Sequence, residues 1–351
     1  MGARVRSSVW WPRLLWGLGL VALAASLVVA VAVGSSDLTA DDIAAVVRAH
    51  LFGGESGLSR TRDAIVWELR TPRVLLAALC GAGLAVCGAV FQSLLRNPLA
   101  DPFILGVSSG AGLGAVLVLI LGVGAGVVGL ASGAFVGAVG TFALVIALAR
   151  LAGRSVAVLV LAGVAIAQFC SALTSFVLYV FASAHETRGM LFWLMGSLSS
   201  SQWDDVLLAV VVVTVGVVVC LLRASTLDAF TFGEDAASSL GVDVARTRFV
   251  LLTVTTLMTA ALVASSGAVG FVGLTLPHAA RALVGVKHRV LLPTSALLGA
   301  IFLVWADTFA RTVIAPQELP VGIMTALVGV PMFVAILVRQ GLRAKAAGGG
   351  A

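Results

Sequence analysis

"GFVGLTLPHAARALVGV" (residues 270–286) decides the architecture, because it is apolar but carries Pro277, His278 and Arg281. Hydropathy alone does not assign such a stretch as a span. Around it, apolar runs near 14–34, 74–95, 103–124, 126–149, 156–182, 206–222, 249–269, 290–312 and 321–338 each approach the length of a membrane-crossing helix. If residues 270–286 also cross, "VKHR" (286–289) and "RQGLRAK" (339–345) fall on the same side as Arg4, Arg6 and Arg13. If they do not, both clusters land on the opposite face, against the cytoplasmic preference of Lys and Arg. The sequence therefore predicts an all-α polytopic membrane protein, a single domain over residues 1–351. It would be a compact bundle of ten transmembrane helices with both termini in the cytoplasm. Fifteen of the 22 basic residues then lie inside, and seven (48, 60, 62, 70, 73, 188 and 311) outside.

Composition leads to the same class. Of 351 residues 60% are hydrophobic and 11% charged, too few charges to cover a soluble surface of that size. An outer-membrane barrel needs alternating polar and apolar residues, whereas these runs are continuously apolar. The net charge of +6 comes from cations scattered between spans, which fits membrane topology better than nucleic-acid binding. Arg4, Arg6 and Arg13 precede an apolar stretch longer than a usual signal core, so the N-terminus is read as an uncleaved first helix. Cys80, Cys87, Cys170 and Cys220 all sit in apolar runs without a CxxC pair and read as small buried hydrophobes; no metal site or cofactor is expected.

Two outside segments stand out. Residues 35–70 read as a short amphipathic helix ("LTADDIAAVVRAHLF", 38–52), a Gly/Ser linker and then Pro72 opening the second span. Residues 183–205 hold Trp193 and Trp203, suited to an interfacial belt. Gly106, Gly110 and Gly114, and likewise Gly129, Gly133 and Gly137, recur every four residues and predict close helix packing within the subunit.

Chemical motifs are scarce. There is no G-x-x-x-x-G-K-[ST] phosphate loop, and the only lysines are Lys287 and Lys345, so ATP hydrolysis by the commonest route is not expected of this chain. No H-E-x-x-H or G-x-S-x-G occurs, and no enzymatic role is expected. Only Asp307 lies well inside a span, beside Arg311 at i+4, and reads as half of a local ion pair. An ion-coupled secondary transporter, the alternative of another class, usually needs intramembrane acids or histidines. His278 is expected to bond backbone carbonyls freed by Pro277. Asn97 and Pro98 read as a turn with a capping Asn rather than a hinge.

The longest cytoplasmic loop, 223–248, contains "TFGEDAASSLGVDVARTR" (231–248). Thr231 and Glu234 have capping-box spacing, Ala236, Ala237, Leu240 and Val244 share a helix face, and Gly241 can end the helix in a left-handed turn. A helix that short is marginal in water unless it docks. Its small apolar face and acidic flank, Glu234 and Asp235, suit a protein partner better than lipid.

"EDAASSLG" (234–241) resembles the EAA-and-glycine coupling segment of ABC importer permeases, with Asp235 in place of the usual Glu. "RTPRVLLAALCGAGLAVCGAVFQSLLRNPLADPFILGVSSGAGLGA" (70–115), "GAVGFVGLTLPHAARALVG" (267–285) and "ADTFARTVIAPQELPVGIMTALVGVPMFVAIL" (306–337) closely resemble FecCD-type permeases for iron-siderophores, heme and vitamin B12. The resemblance implies a permease subunit in a bacterial inner membrane that carries a bulky metal chelate inward, a ferric siderophore being the leading expectation and heme or vitamin B12 the alternatives. It implies a second permease subunit (identical or closely related), two cytoplasmic ATPase subunits and an extracytoplasmic substrate-binding protein, with membrane lipid around the bundle and no nucleic acid. By the same resemblance Gly233, Glu234, Asp235, Ala236, Ser239, Leu240 and Gly241 would contact the ATPase. Arg60, Arg62 and Arg311 would pair with acids on the binding protein. Span five would line the pathway through Gln168, Ser171 and Ser175, with Ser155 and Val156 at its cytoplasmic gate, although serines in a span also act as helix glue.

Overall fold

The computed structural model describes residues 10–34, 38–124, 128–153, 155–239, 241 and 243–348. Among them the regular structure is helical, with no strand. The elements are α1 (Trp10–Ala32), α2 (Ala40–Phe52), α3 (Arg60–Leu94), α4 (Val107–Leu121), α5 (Leu130–Ala152), α6 (Val156–Phe181), α7 (Ala184–Leu194), α8 (Trp203–Leu222), α9 (Ala224–Phe230), α10 (Glu234–Ser239), α11 (Val244–Ser266), α12 (Val272–Val284), α13 (His288–Thr312) and α14 (Val321–Gly348). Seven are long and apolar enough to cross a membrane: α1, α3, α5, α6, α8, α11 and α13. α4, α12 and the apolar part of α14 are shorter. Every run expected as a span is matched by one of these helices.

α3 occupies the centre, packed by α1, α8, α11, α12 and α13. Its glycines explain how. A Cβ on Gly81 would collide with the carbonyl of Gly299 in α13, and one on Gly299 with the carbonyl of Gly81. Gly88 sits in the same way against the carbonyl of Gly273 in α12. The close packing expected of the four-residue glycine repeats occurs between α4 and α5: Gly114 lies on the carbonyl of Gly133, and Gly137 on that of Gly110. Gly106 instead takes a left-handed turn (φ 75°) before α4, and Gly129 has open space around it. α1 lies on the periphery, tied to α13 by the indole of Trp16 on Thr294 Oγ1 (3.0 Å) and that of Trp305 on Ser26 Oγ (3.0 Å).

Several expectations are corrected. The amphipathic helix of 38–52 forms as α2, closed by Thr39, whose hydroxyl accepts from Asp42 N–H. Thr39 N–H in turn holds the Asp42 carboxyl below its usual range. The linker after it is shorter than expected, because α3 begins at Arg60 rather than near Pro72 and runs 35 residues, about 52 Å. Pro72 cannot donate to a preceding carbonyl, and the helix continues past it through a π-helical turn, Ile65–Arg70, with Thr71 N–H on Val66 O. Residues 183–205 are only partly on the surface, with Trp193 and Trp203 half-buried. α7 turns back against α4, and Met190, Ser197, Leu198 and Ser201 are buried. Trp203 packs on Trp67, which stacks on His50 of α2.

Three helix ends meet inside the bundle: the C-terminus of α7, the C-terminus of α11 and the N-terminus of α14. They satisfy one another, Ser197 N–H donating to Ser266 O (2.8 Å), Val321 N–H to Gly196 O (2.9 Å) and Gly322 N–H to Met195 O (3.1 Å). Gly196 (φ 86°) and Gly267 (φ 66°) make the turns that allow it.

The glycine contacts give a direct test. Gly114→Ala places a methyl group on backbone that has no room to yield, and is expected to destabilise the protein by about 1–3 kcal/mol. Gly140→Ala, with open space around its added carbon, is expected to be neutral or slightly stabilising. Thermal unfolding of the two variants in detergent checks the contrast.

Candidate functional site

Three regions collect the residues singled out in the sequence. At one end of the bundle, α9 and α10 project as a short two-helix step between α8 and α11. α9 is anchored by Ala224, Leu227 and Phe230, all fully buried, against α3 and α13. The chain then turns at Gly233 (φ 110°), and Gly233 N–H bonds Phe230 O. α10 follows for six residues. Asp235 and Ser239 are exposed, Ser239 Oγ donates to Asp235 O (2.9 Å), and Ala237 is fully buried. Gly241 ends the step in the expected left-handed conformation (φ 80°). Glu234 and Ala236 are placed on α10 by their backbone alone, and Leu240 lies outside the described residues, as do Arg4, Arg6 and Arg154.

Thr231 terminates α9, its N–H and hydroxyl both donating to Asp228 O. Beside the step a cleft of about 340 Å³ is lined by Arg223, Thr226, Gly241, Asp243, Arg246 and Thr247. Asp243 caps α11 through Arg246 N–H (3.0 Å).

The second region is the face of α6. Leu161, Phe169, Phe176 and Tyr179 are exposed along it, Tyr179 to 92%, and Gln168 shares that exposed face. Ser175 lies in a hollow of about 770 Å³ with Tyr179, Arg188, Phe192 and Met195. Ser171 instead donates to Ser109 of α4 (3.2 Å), which makes it a helix–helix contact. Ser155 caps α6 through Val158 N–H (3.2 Å), and with Val156 it edges an apolar cavity of about 310 Å³ that has Arg150 and Arg248 at its rim.

The third region is the opposite end. Arg60 and Arg62 are exposed in the first turn of α3. Arg311 is placed otherwise than expected: its side chain is 7% exposed, and it donates to the carbonyls of Val33 (2.9 Å) and Ala30. Arg70 does the same for Val31 (2.8 Å) and Ala32 (3.0 Å). Two guanidinium groups thereby satisfy the carbonyls that the end of α1 leaves without helical donors. Asp307 pairs chiefly with Arg73 rather than with its neighbour at i+4. Arg73 reaches both its oxygens at 3.0 Å and also binds Glu318 (2.9 Å), while Arg311 Nε stands 3.7 Å away.

The proline-bearing α12 departs from expectation in one respect. Pro277 cannot donate to Gly273 O, and the donor is supplied by Gln92 of α3, whose amide nitrogen bonds both Gly273 O and Leu274 O (3.2 Å each). Arg281 fixes that amide by donating to its oxygen (2.7 Å). His278 bonds Pro98 O (2.9 Å). Asn97 makes the expected turn, accepting from Leu99 N–H (2.9 Å). Gln92, Arg70 and Arg73 carried no sequence signal beyond being polar residues in or beside an apolar run. All four cysteines are buried, and no group of three or more His, Cys, Asp or Glu among the described residues could hold a metal ion.

A bundle of spanning helices with an interior polar frame and one projecting step at a single end has the form of a multi-pass transport permease, an integral protein of the bacterial inner membrane. The chain belongs to the FecCD transport family, whose profile matches residues 22–339, and is a permease of the ABC-importer type. It is 42% identical to an uncharacterised ABC transporter permease of Bacillus subtilis, over 92% of this chain and 93% of that one. It is 47% identical to a cobalamin import system permease of Halobacterium salinarum, over 82% of this chain and 77% of that one. A solved structure described as an inward-facing ABC transporter of the metal-chelate type superposes with a TM-score of 0.82. That match has 31% identity and covers 94% of this chain and all of the other.

The Arg73–Asp307 pair supplies a stability test. Asp307 is 1% exposed and Arg73 11%, so Asp307→Ala leaves a buried guanidinium with Glu318 alone. The variant is expected to lose about 3 kcal/mol or more of stability, read as a fall in melting temperature of the detergent-solubilised protein.

Proposed function

We propose that this chain is the membrane subunit through which an ATP-driven importer passes a metal chelate into the cytoplasm, worked by a separate ATPase that docks on the α9–α10 step. The observation that carries the reading is the step itself. It is exposed and acidic at Asp235, small at Ser239, held between two positive-φ glycines, and it projects from the end where the basic residues concentrate. Arg96, Arg150, Arg223, Arg246, Lys287 and Arg289 all lie near helix ends on that side, which the positive-inside tendency places in the cytoplasm. Gly233, Glu234, Asp235, Ala236, Ser239, Leu240 and Gly241 form the ATPase contact. Nucleotide-driven closure of the ATPases then biases the permease between outward- and inward-open states.

On the opposite face Arg60 and Arg62 meet acids of an extracytoplasmic binding protein, where exposed charges speed and orient docking more than they tighten it. Arg311 supports that face from within by capping α1. The exposed face of α6, with Gln168 and Ser175, lines the pathway against a second permease subunit, and Ser155 and Val156 border its inner gate. The cargo is a bulky metal chelate. The metal-chelate type of the superposed structure supports the class, and the cobalamin permease relative supports a corrinoid within it, beside the ferric siderophore that the sequence resemblance favours.

The test is uptake into vesicles holding the permease with its ATPase and binding protein, supplied with labelled cobalamin or labelled ferric siderophore. ATP drives accumulation of one of them, and an ion gradient without ATP drives none. Accumulation driven by the gradient alone would show an ion-coupled transporter instead. Gly241→Pro, or charge reversal at Glu234 and Asp235 together, is expected to lower ATP-driven uptake about tenfold or more, with insertion into the membrane unchanged. Arg60→Ala with Arg62→Ala is expected to slow association of the binding protein severalfold and to flatten its salt dependence, as measured by surface binding kinetics.

A further inference from the structure

Where the step joins the bundle lies a relay that none of the assigned roles uses, buried at His288 and Ser93 and 36% exposed at Asp228. Asp228 of α9 accepts the backbone N–H of His288, the first residue of α13, at 2.9 Å. The same carboxylate oxygen takes the ring Nδ1–H of His288 at 2.6 Å. Nε2 of that ring lies 2.6 Å from Ser93 Oγ of α3 and, with the proton on Nδ1, accepts the hydroxyl hydrogen. His288 is 1% exposed and Ser93 8%. One imidazole thus joins the helix beneath the step to the two helices at the middle of the bundle.

Those two helices are also joined elsewhere. α3 and α13 touch backbone to backbone at Gly81 and Gly299, and further along Arg73, inside α3, holds both carboxylate oxygens of Asp307 near the end of α13. Tied at Ser93–His288 and at Arg73–Asp307 and interlocked between, residues 73–94 of α3 and α13 form one closely packed beam. Toward the step, α10 hangs from α9 through Gly233 N–H on Phe230 O and the Thr231 bonds to Asp228 O. The apolar contacts of Leu227 and Phe230 hold α9 in place but are non-directional. The carboxylate–imidazole bonds are short, charge-assisted and directional, and fix the register between α9 and the beam.

We infer that Asp228, His288 and Ser93 form the strut that transmits movement of the coupling step into the α3–α13 beam, with His288 as the positioning residue. The strut rests on the proposed docking of the ATPase at α10. It gives that docking a route toward the opposite face, because α3 continues to Arg60 and Arg62.

The experiment is hydrogen exchange of the full permease–ATPase complex in nanodiscs, with and without a non-hydrolysable ATP analogue and magnesium. In the wild-type complex the analogue is expected to change exchange both in peptides covering 231–241 and in peptides covering 285–292. In Asp228→Asn and in His288→Gln the 231–241 response persists, while the 285–292 response falls about fivefold or more. Ser93→Ala, which removes one hydroxyl at the far side of the ring, is expected to reduce the 285–292 response partially, and it serves as the deciding variant if either of the others fails to assemble. Unchanged melting temperature of the variants separates lost transmission from lost folding. A full 285–292 response in the assembled variants overturns the strut alone. A wild-type complex in which 231–241 ignores the nucleotide overturns the docking assignment, and the strut with it.

Discussion

A backbone carbonyl or N–H inside the bilayer has no water to turn to, and each broken helix in this bundle is possible only because another part of the chain supplies the missing partner. The end of α1 is completed by Arg70 and Arg311. The carbonyl freed by Pro277 is completed by Gln92. The ends of α7, α11 and α14 complete one another around Gly196. These arrangements place irregular backbone in the interior, where a uniform set of spanning helices would present only smooth apolar surfaces.

Irregularity of this kind is what lets a membrane bundle have distinct working surfaces. The turn back of α7 gives α6 a hollow at Ser175 and Tyr179 instead of a continuous helix neighbour. The break after α8 produces the α9–α10 step. In contrast, α3 and α13 are interlocked at Gly81 and Gly299 and tied at Arg73–Asp307 and Ser93–His288, so the molecule combines a closely packed middle with short elements at its faces. That division suits a transporter in which movement starts at one face and must arrive at the other.

Much of the architecture was legible in the sequence. Every expected run became a helix, the 38–52 segment became α2, and the Gly110–Gly114 and Gly133–Gly137 stripes pack closely within the subunit as their four-residue spacing suggested, their meeting each other being decided by the fold. The left-handed turn at Gly241 was legible too, because few residues other than glycine take that conformation cheaply. The site was legible in part. The position of the α9–α10 step followed from a charged, small-residue segment between two apolar runs, but its division into two helices at Gly233 did not.

What the sequence by itself determined is membership of the membrane, the placement of the helices along the chain and the presence of glycine stripes for close helix packing. These follow from composition and from periodicities of a few residues, which are local properties. What only the tertiary structure decided is the pairing of the polar minority. Arg311 went to α1 rather than to the surface, Asp307 to Arg73 rather than to its neighbour one turn away, and His288 to Asp228 and Ser93. The partners in such pairs are separated by as many as 281 residues in the chain, and they are chosen by which helix faces which at a given depth. No local pattern encodes that choice, because every one of these side chains would be equally satisfied by water if the fold left it there.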